Sequence, residues 1–176
     1  MIIFRSLTVS LLVFSAAIVS PALARSRILH VVDLTESGAK AAREPKPFDE
    51  SADAMADVDA ALARASNQNR LALVILGGNW CHDSRALAMK FEDPRLAQII
   101  ADRYEVVWVD VGFRDRNLDV AKRFGFTEIR STPTVLVLSG GGELQNGKSA
   151  EDWNDAASKP IEEIIDYFRA FPGRGV

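Results

Sequence analysis

Cysteine is almost absent from this chain, because Cys81 is the only one among its 176 residues. A single cysteine excludes an internal disulfide bond. Histidine is nearly as scarce, with two residues, so a zinc site would have to recruit distant carboxylates, and we predict no metal and no cofactor. The basic residues form no run of five or more. Together with a formal net charge of −3, this gives no electrostatic reason to expect nucleic acid as a partner.

Long apolar runs are also missing, except near the N-terminus. Arg5 precedes an almost unbroken apolar run over residues 7–19, and Pro21 and the small-x-small sequence Ala22-Leu23-Ala24 follow it. This layout is typical of a secretory signal peptide, so we predict that residues 1–24 are cleaved off. An uncleaved anchor helix is the less favoured alternative, because the apolar run is short for a membrane span. We expect no membrane span after cleavage.

Export places the lone thiol in an oxidising compartment, where disulfide bonds persist. A free cysteine in such a place is either buried and inert or available for an intermolecular disulfide. The surroundings of Cys81 therefore decide which function the sequence supports.

Regular secondary structure is predicted from Asp49 onward. Residues 25–48 combine a short candidate strand at 28–34 with a small, charged, proline-punctuated stretch, so we interpret them as an N-terminal arm or linker. An amphipathic helix follows, with Asp49, Ser51 and Asp53 as candidates for its N-terminal cap.

Helices and strands alternate along residues 49–176. Pro94 interrupts the helix after Cys81, Gly125 suits a helix end, and Pro160 opens the last helix. The apolar runs short enough for buried strands are residues 71–76, 106–111 and 134–138, with one more short strand expected around Glu143 and Leu144. The alternation predicts one α/β domain, with helices on both faces of a mixed sheet.

Cys81 lies where a predicted strand ends and a helix begins. The unpaired N–H groups and the dipole of a helix N-terminus favour negative charge, and the thiolate rather than the thiol is the nucleophile. A protonated His82 favours the thiolate and Asp83 disfavours it, so both are candidates for tuning its ionisation; an exposed His82 without a role is an equal alternative. We expect the Ser84 hydroxyl, one helical turn on, to donate a hydrogen bond to the sulfur.

Other candidate motifs carry less chemistry. The glycines at 140–142 lack a phosphate-loop pattern and are interpreted as a turn. We expect Trp108 and Phe113 to be packing residues rather than parts of a cofactor site. Asp110 and Asp115 are candidate paired carboxylates, but nothing else in the sequence supports a hydrolase.

Two motifs, in the right order, resemble those of the thioredoxin superfamily. Trp80-Cys81-x-x-Ser84 stands where these proteins carry Trp-Cys-x-x-Cys, and Ser131-Thr132-Pro133-Thr134 stands where they carry a cis-proline loop facing the cysteine. The resemblance covers roughly residues 50 to 170. Residues 91–94 and 106–110 look more like one branch, which includes the C-terminal domain of the bacterial transmembrane thiol-disulfide interchange protein.

The resemblance implies a thioredoxin-like fold, a periplasmic location and thiols or disulfides of proteins or small molecules as partners. It implies a cis bond before Pro133 and substrate binding by Trp80, Thr132 and Pro133. Ser84 departs from the family because it replaces the resolving cysteine, which excludes efficient dithiol chemistry. Ile75 stands where thioredoxins often carry a buried acid that assists proton transfer.

We therefore predict a single-cysteine protein of thiol–disulfide exchange, with Cys81 as the nucleophile and Ser84 and the local backbone N–H groups as its stabilisers. The mixed disulfide would be released by an external thiol, as in isomerisation or glutathione exchange. The alternative is a non-catalytic binding module, with an inert Cys81, that recognises extended polypeptides through the Pro133 loop. A disulfide-linked homodimer through Cys81 is a third interpretation.

Overall fold

The structure of the protein is a computed structural model that describes residues 44–172. The predicted signal peptide, the predicted strand at 28–34 and most of the predicted arm lie outside these residues. None of the described helices is long and apolar enough to cross a membrane. The elements are, in chain order, α1 (Ala54–Asn67), β1 (Leu71–Gly77), α2 (His82–Lys90), α3 (Pro94–Arg103), β2 (Tyr104–Asp110), α4 (Leu118–Arg123), β3 (Thr134–Leu138) and α5 (Ile161–Arg169).

The three strands form a mixed sheet in the order β2-β1-β3. The central strand β1 runs parallel to β2, with Gly77 opposite Asp110. It runs antiparallel to β3, with Leu76 opposite Thr134. The C-terminal ends of β1 and β2 therefore lie beside the N-terminal end of β3, at one end of the sheet. The loops that leave or enter the strands at this end of the sheet are brought together.

Helices cover both faces of the sheet, and each face has its own apolar core. On one face, α1 and α4 contribute residues such as Val58 and Val120, which lie in one cluster with Val74 of β1. On the other face, α2, α3 and α5 pack against Ile75 and contribute residues such as Phe168. Every residue of β1 is buried, because its two sides face two cores. The predicted α/β class, with helices flanking a mixed sheet, is confirmed.

Local sequence sets the helix boundaries that position the site. The Asp53 carboxylate caps α1 by accepting a hydrogen bond from the Ala56 N–H at 3.1 Å. The Asp93 carboxylate accepts from the Arg95 N–H at 2.9 Å, and Pro94 occupies the first turn of α3. Because proline cannot continue the preceding helix, α2 ends at Lys90 and α3 starts in a new direction.

The strand expected around Glu143 and Leu144 is reduced to one isolated bridge between Leu138 and Leu144. The side chain of Asn146 takes the place of a strand partner there. Its Oδ1 accepts from the Val137 N–H at 2.9 Å, and its Nδ2 donates to the Val135 carbonyl at 2.7 Å. One amide group thus satisfies two backbone groups of β3, and a regular backbone ladder does not form.

Candidate active site

Cys81 is the N-cap residue of α2 and follows the C-terminal end of β1. A turn closed by the Cys81 N–H, which donates to the Gly78 carbonyl at 3.0 Å, leads from the strand into the helix. The backbone of Cys81 is extended, and its side chain makes no capping hydrogen bond. The thiol is free, and the residue keeps 8% of its surface exposed.

The loop that enters β3 faces Cys81 at this end of the sheet. The antiparallel pairing of β1 with β3 places Thr134 opposite Leu76, so the preceding Thr132 meets the residues that follow β1. The peptide bond between Thr132 and Pro133 is cis. The Cys81 sulfur lies 3.2 Å from the Thr132 carbonyl oxygen and 3.3 Å from the Thr132 hydroxyl oxygen.

The two contacts differ in which atom is the donor. As a thiol, Cys81 donates its proton to the Thr132 carbonyl and accepts a hydrogen bond from the Thr132 hydroxyl. As a thiolate, it loses the first hydrogen bond and keeps the second, which is strengthened by the negative charge. Thr132 therefore offers the sulfur one acceptor and one donor group, and only the donor suits a thiolate.

The expected hydrogen bond from Ser84 to the Cys81 sulfur does not form. Ser84 is fully buried, and its hydroxyl oxygen has no hydrogen-bond partner among residues 44–172. The hydroxyl points toward β1, where a Cβ atom added to Gly77 would lie 2.6 Å from the Ser84 oxygen and 2.8 Å from the Phe48 ring. The glycine at position 77 is therefore required by the close approach of α2 to the end of β1.

The two residues between Cys81 and Ser84 have different surroundings. His82 is exposed, and its side chain makes no hydrogen bond within the described part of the chain. Asp83 is half-buried, and its carboxylate accepts a hydrogen bond from the Ala157 N–H at 2.9 Å. The Asp83 hydrogen bond thus fastens α2 to the segment before α5.

Trp80 precedes Cys81, and contacts with two glycines position its indole ring. Its Nε1–H donates to the Gly112 carbonyl at 2.7 Å. The ring folds back over Gly78, where an added Cβ atom would lie 2.5 Å from the indole nitrogen. These contacts link the Cys81 turn to the loop after β2, and they leave 41% of Trp80 exposed.

The expectation that Phe113 is a packing residue is wrong. Phe113 is 77% exposed, and its ring stacks on Trp80 with the centroids 5.1 Å apart. Trp108, by contrast, packs against the core, with an edge-on contact to Phe48 at 5.3 Å. Trp108 lies within β2, whereas Phe113 lies between Gly112 and Arg114 in the loop that follows this strand.

Asn79 is a site residue that the sequence analysis missed. Its Nδ2 donates to the Phe48 carbonyl at 2.7 Å, and its Oδ1 accepts from the Phe48 N–H at 3.2 Å. Arg85 adds a second link, since it donates to the Asn79 carbonyl at 2.9 Å and pairs with Glu44. Residues 44–48, assigned by sequence to the arm, are therefore fastened beside the Cys81 turn, and Phe48 is part of the core.

Asp110 and Asp115 shape the loop after β2. Buried Asp110 accepts from the Gly112 N–H at 2.8 Å and lies 3.4 Å from the Arg116 guanidinium. Exposed Asp115 accepts from the Phe113 N–H at 3.0 Å. Within residues 44–172, no group of three or more His, Cys, Asp or Glu side chains is placed to hold a metal ion.

The chain is similar in sequence and fold to known proteins. A family model described as thioredoxin-like matches residues 53–140. The fold is similar to the crystal structure of a disulphide isomerase from Xylella fastidiosa Temecula1, with a TM-score of 0.61 and 30% sequence identity; the match covers 72% of this chain and 97% of that chain. The solution structure of a thioredoxin from Thermus thermophilus is also similar, with a TM-score of 0.45 and 21% identity over 63% of this chain and 80% of that one. A search of curated proteins finds no match.

Proposed function

This chain belongs to the thioredoxin-like family, and from that premise we propose that it carries out thiol–disulfide exchange through the single cysteine Cys81. The observation that carries the proposal is the pair of contacts between the Cys81 sulfur and Thr132. A thiol–disulfide redox role in general also agrees with the disulphide isomerase of similar structure.

The proposed reaction has two exchange steps. The Cys81 thiol gives its proton to water, and the thiolate attacks one sulfur of a disulfide. A bond forms between Cys81 and that sulfur, while the second sulfur leaves as a thiolate. An external thiolate then attacks the mixed disulfide and restores the Cys81 thiolate. Each step breaks one sulfur–sulfur bond and makes another, so the cycle needs no net oxidant or reductant.

Ser84 determines which thiol can resolve the mixed disulfide. A second cysteine at this position would attack the mixed disulfide from within the protein, and a hydroxyl does not. Release therefore depends on a thiol from the substrate or from the solution. This dependence favours isomerisation of protein disulfides or exchange with small thiols over net reduction by the isolated protein.

The test is the reaction of the folded protein with oxidised glutathione, followed by intact mass. We expect one glutathione adduct on the wild type, its removal by dithiothreitol, and no adduct on Cys81→Ser. An adduct that forms only in denaturant would contradict the proposal.

The 8% exposure of Cys81 favours a second candidate, a binding module for extended polypeptides. If the protein is such a binding module, Cys81→Ala would leave the capture of partners intact. If it carries out exchange, the same substitution would abolish every covalent complex with a partner. A disulfide-linked homodimer through Cys81 would appear as a doubled mass on a non-reducing gel.

We also propose that the protein works in the periplasm. The support is the layout of residues 1–24, together with a lone thiol suited to an oxidising compartment. Intact mass of protein recovered from that compartment should correspond to a chain that begins at Arg25.

A further inference from the structure

An exposed aromatic pair stands beside the proposed nucleophile. Among the described residues, the large apolar side chains with most exposure are Phe113, Met89 and Trp80. Met89 stands on α2, while Phe113 and Trp80 stack with an angle of 25° between their rings. Contiguous exposed apolar surface is typical of an interaction site, and here it adjoins Cys81 through the neighbouring Trp80.

The loop that presents Phe113 has an unusual backbone. Gly112, Arg114 and Asn117 all have left-handed conformations, with φ of 53°, 70° and 52°. For arginine this conformation is uncommon and costs energy, and such residues cluster at functional sites. The Asn117 side chain holds the loop by donating to the Asp110 carbonyl at 2.7 Å. These backbone conformations and the Asn117 hydrogen bond set the course of the loop that carries Phe113.

Arg114 adds a positive charge next to this ring. Its guanidinium donates to the Arg130 carbonyl at 3.2 Å, and it pairs with no carboxylate within residues 44–172. The neighbouring Asp115 turns its carboxylate to the Phe113 N–H instead. Because Arg130 comes just before the Ser131-Thr132 loop, Arg114 connects the aromatic pair to the loop that holds the Cys81 sulfur.

We propose that Phe113 and Arg114 select the polypeptide that exchanges with Cys81. The selected substrate is an extended chain in which an aromatic residue and a carboxylate flank the disulfide-bonded cysteine. The aromatic side chain stacks on Phe113, and the carboxylate pairs with the Arg114 guanidinium. This inference rests on the proposed exchange function and names its substrate class.

The test uses short cysteine peptides activated as mixed disulfides with 5-thio-2-nitrobenzoate. The Cys81 thiolate attacks the peptide sulfur, the peptide joins Cys81, and the coloured aromatic thiolate leaves. One peptide has phenylalanine and glutamate beside its cysteine, and the reference peptide has glycine and serine. A third peptide replaces the glutamate with lysine. The second-order rate constant is measured for each.

We expect the wild type to react roughly ten times faster with the phenylalanine–glutamate peptide than with the reference peptide, as one aromatic stacking contact and one ion pair together allow. Phe113→Ser should reduce this ratio about fivefold. Arg114→Gln should remove the difference between the glutamate and lysine peptides. Met89→Ser, which also removes an exposed apolar side chain, should keep the wild-type ratio.

Equal rates for all three peptides with the wild type would overturn the substrate assignment while leaving the exchange function in place. Failure of the wild type to react with any activated peptide would instead overturn the exchange function. A wild-type dimer in light scattering that becomes a monomer in Phe113→Ser would assign the aromatic pair to a second copy of the chain, and this outcome also contradicts the proposal.

Discussion

At the scale of single residues, Thr132 is the group that most directly controls the sulfur. Its carbonyl and hydroxyl both lie within hydrogen-bond distance of the Cys81 sulfur, and of these two only the hydroxyl can donate to a thiolate. The hydroxyl of Ser84, which the sequence motif placed in this role, has no partner among the described residues and faces Gly77. The side-chain donor at the sulfur thus belongs to the loop before β3 rather than to the helix that follows the cysteine.

Thr132→Val removes the hydroxyl while keeping the branched shape of the side chain. We expect the alkylation rate of Cys81 at neutral pH to fall by about tenfold, because a hydrogen bond to a charged group contributes roughly 1.5–3 kcal/mol and sulfur is a weak acceptor. The measurement is the rate of iodoacetamide reaction as a function of pH, read by intact mass. Thr132→Ser retains the hydroxyl and should stay close to wild type; an unchanged rate in Thr132→Val would contradict the role.

At the scale of elements, the segment before α1 supports the active-site turn. Phe48 is 3% exposed and packs against the same core as α2, α3 and α5. Its backbone forms two hydrogen bonds with the Asn79 side chain, just before Trp80 and Cys81. The turn that carries the cysteine is thereby fastened on one side by residues distant in sequence.

Phe48→Ala should lower the free energy of unfolding by about 3–5 kcal/mol, because it leaves a cavity in a closely packed core. Urea denaturation followed by far-ultraviolet circular dichroism gives this quantity. Met89→Ala removes a half-exposed side chain and should change it by about 0.5 kcal/mol or less. Equal effects of the two substitutions would mean that Phe48 is not part of the folded domain in solution.

At the scale of the whole molecule, Tyr104 ties the last helix to the sheet. It begins β2, and its hydroxyl donates to the Phe168 carbonyl of α5 at 2.6 Å. Burial raises the pKa of Tyr104 well above its ordinary value. The folded state therefore keeps this phenol protonated at a pH where the unfolded chain has lost the proton.

The raised pKa of Tyr104 predicts a loss of stability at alkaline pH. Its contribution is complete below the unfolded pKa of about 10 and declines as pH rises from there toward the folded value. The urea concentration at the midpoint of unfolding, measured from about pH 8 to about pH 11, should fall more steeply with pH in the wild type than in Tyr104→Phe. Parallel curves for the two proteins would exclude Tyr104 as the cause.

The sequence predicted the parts of the fold that depend on short-range patterns. The buried run in β1, the interruption at Pro94 and the cysteine at a strand-to-helix junction all follow from local residue types. It failed where partners are distant along the chain. Asn79 binds Phe48, and Asn146 replaces a strand, through side-chain amides that have no characteristic spacing. The exposure of Phe113 depends on the folding of a whole loop.

The amide of Asn146 also has a consequence for association between molecules. The outer edge of β3 presents three backbone N–H groups, on Val135, Val137 and Ser139, and each already donates within the chain: to the Ala150 carbonyl, the Asn146 side chain and the Glu143 carbonyl. An incoming strand finds no free donor along this edge. Unpaired edge strands favour strand addition and aggregation. Because the backbone groups of β3 are already paired, a polypeptide that binds at the Pro133 loop cannot add to β3 as an extra strand.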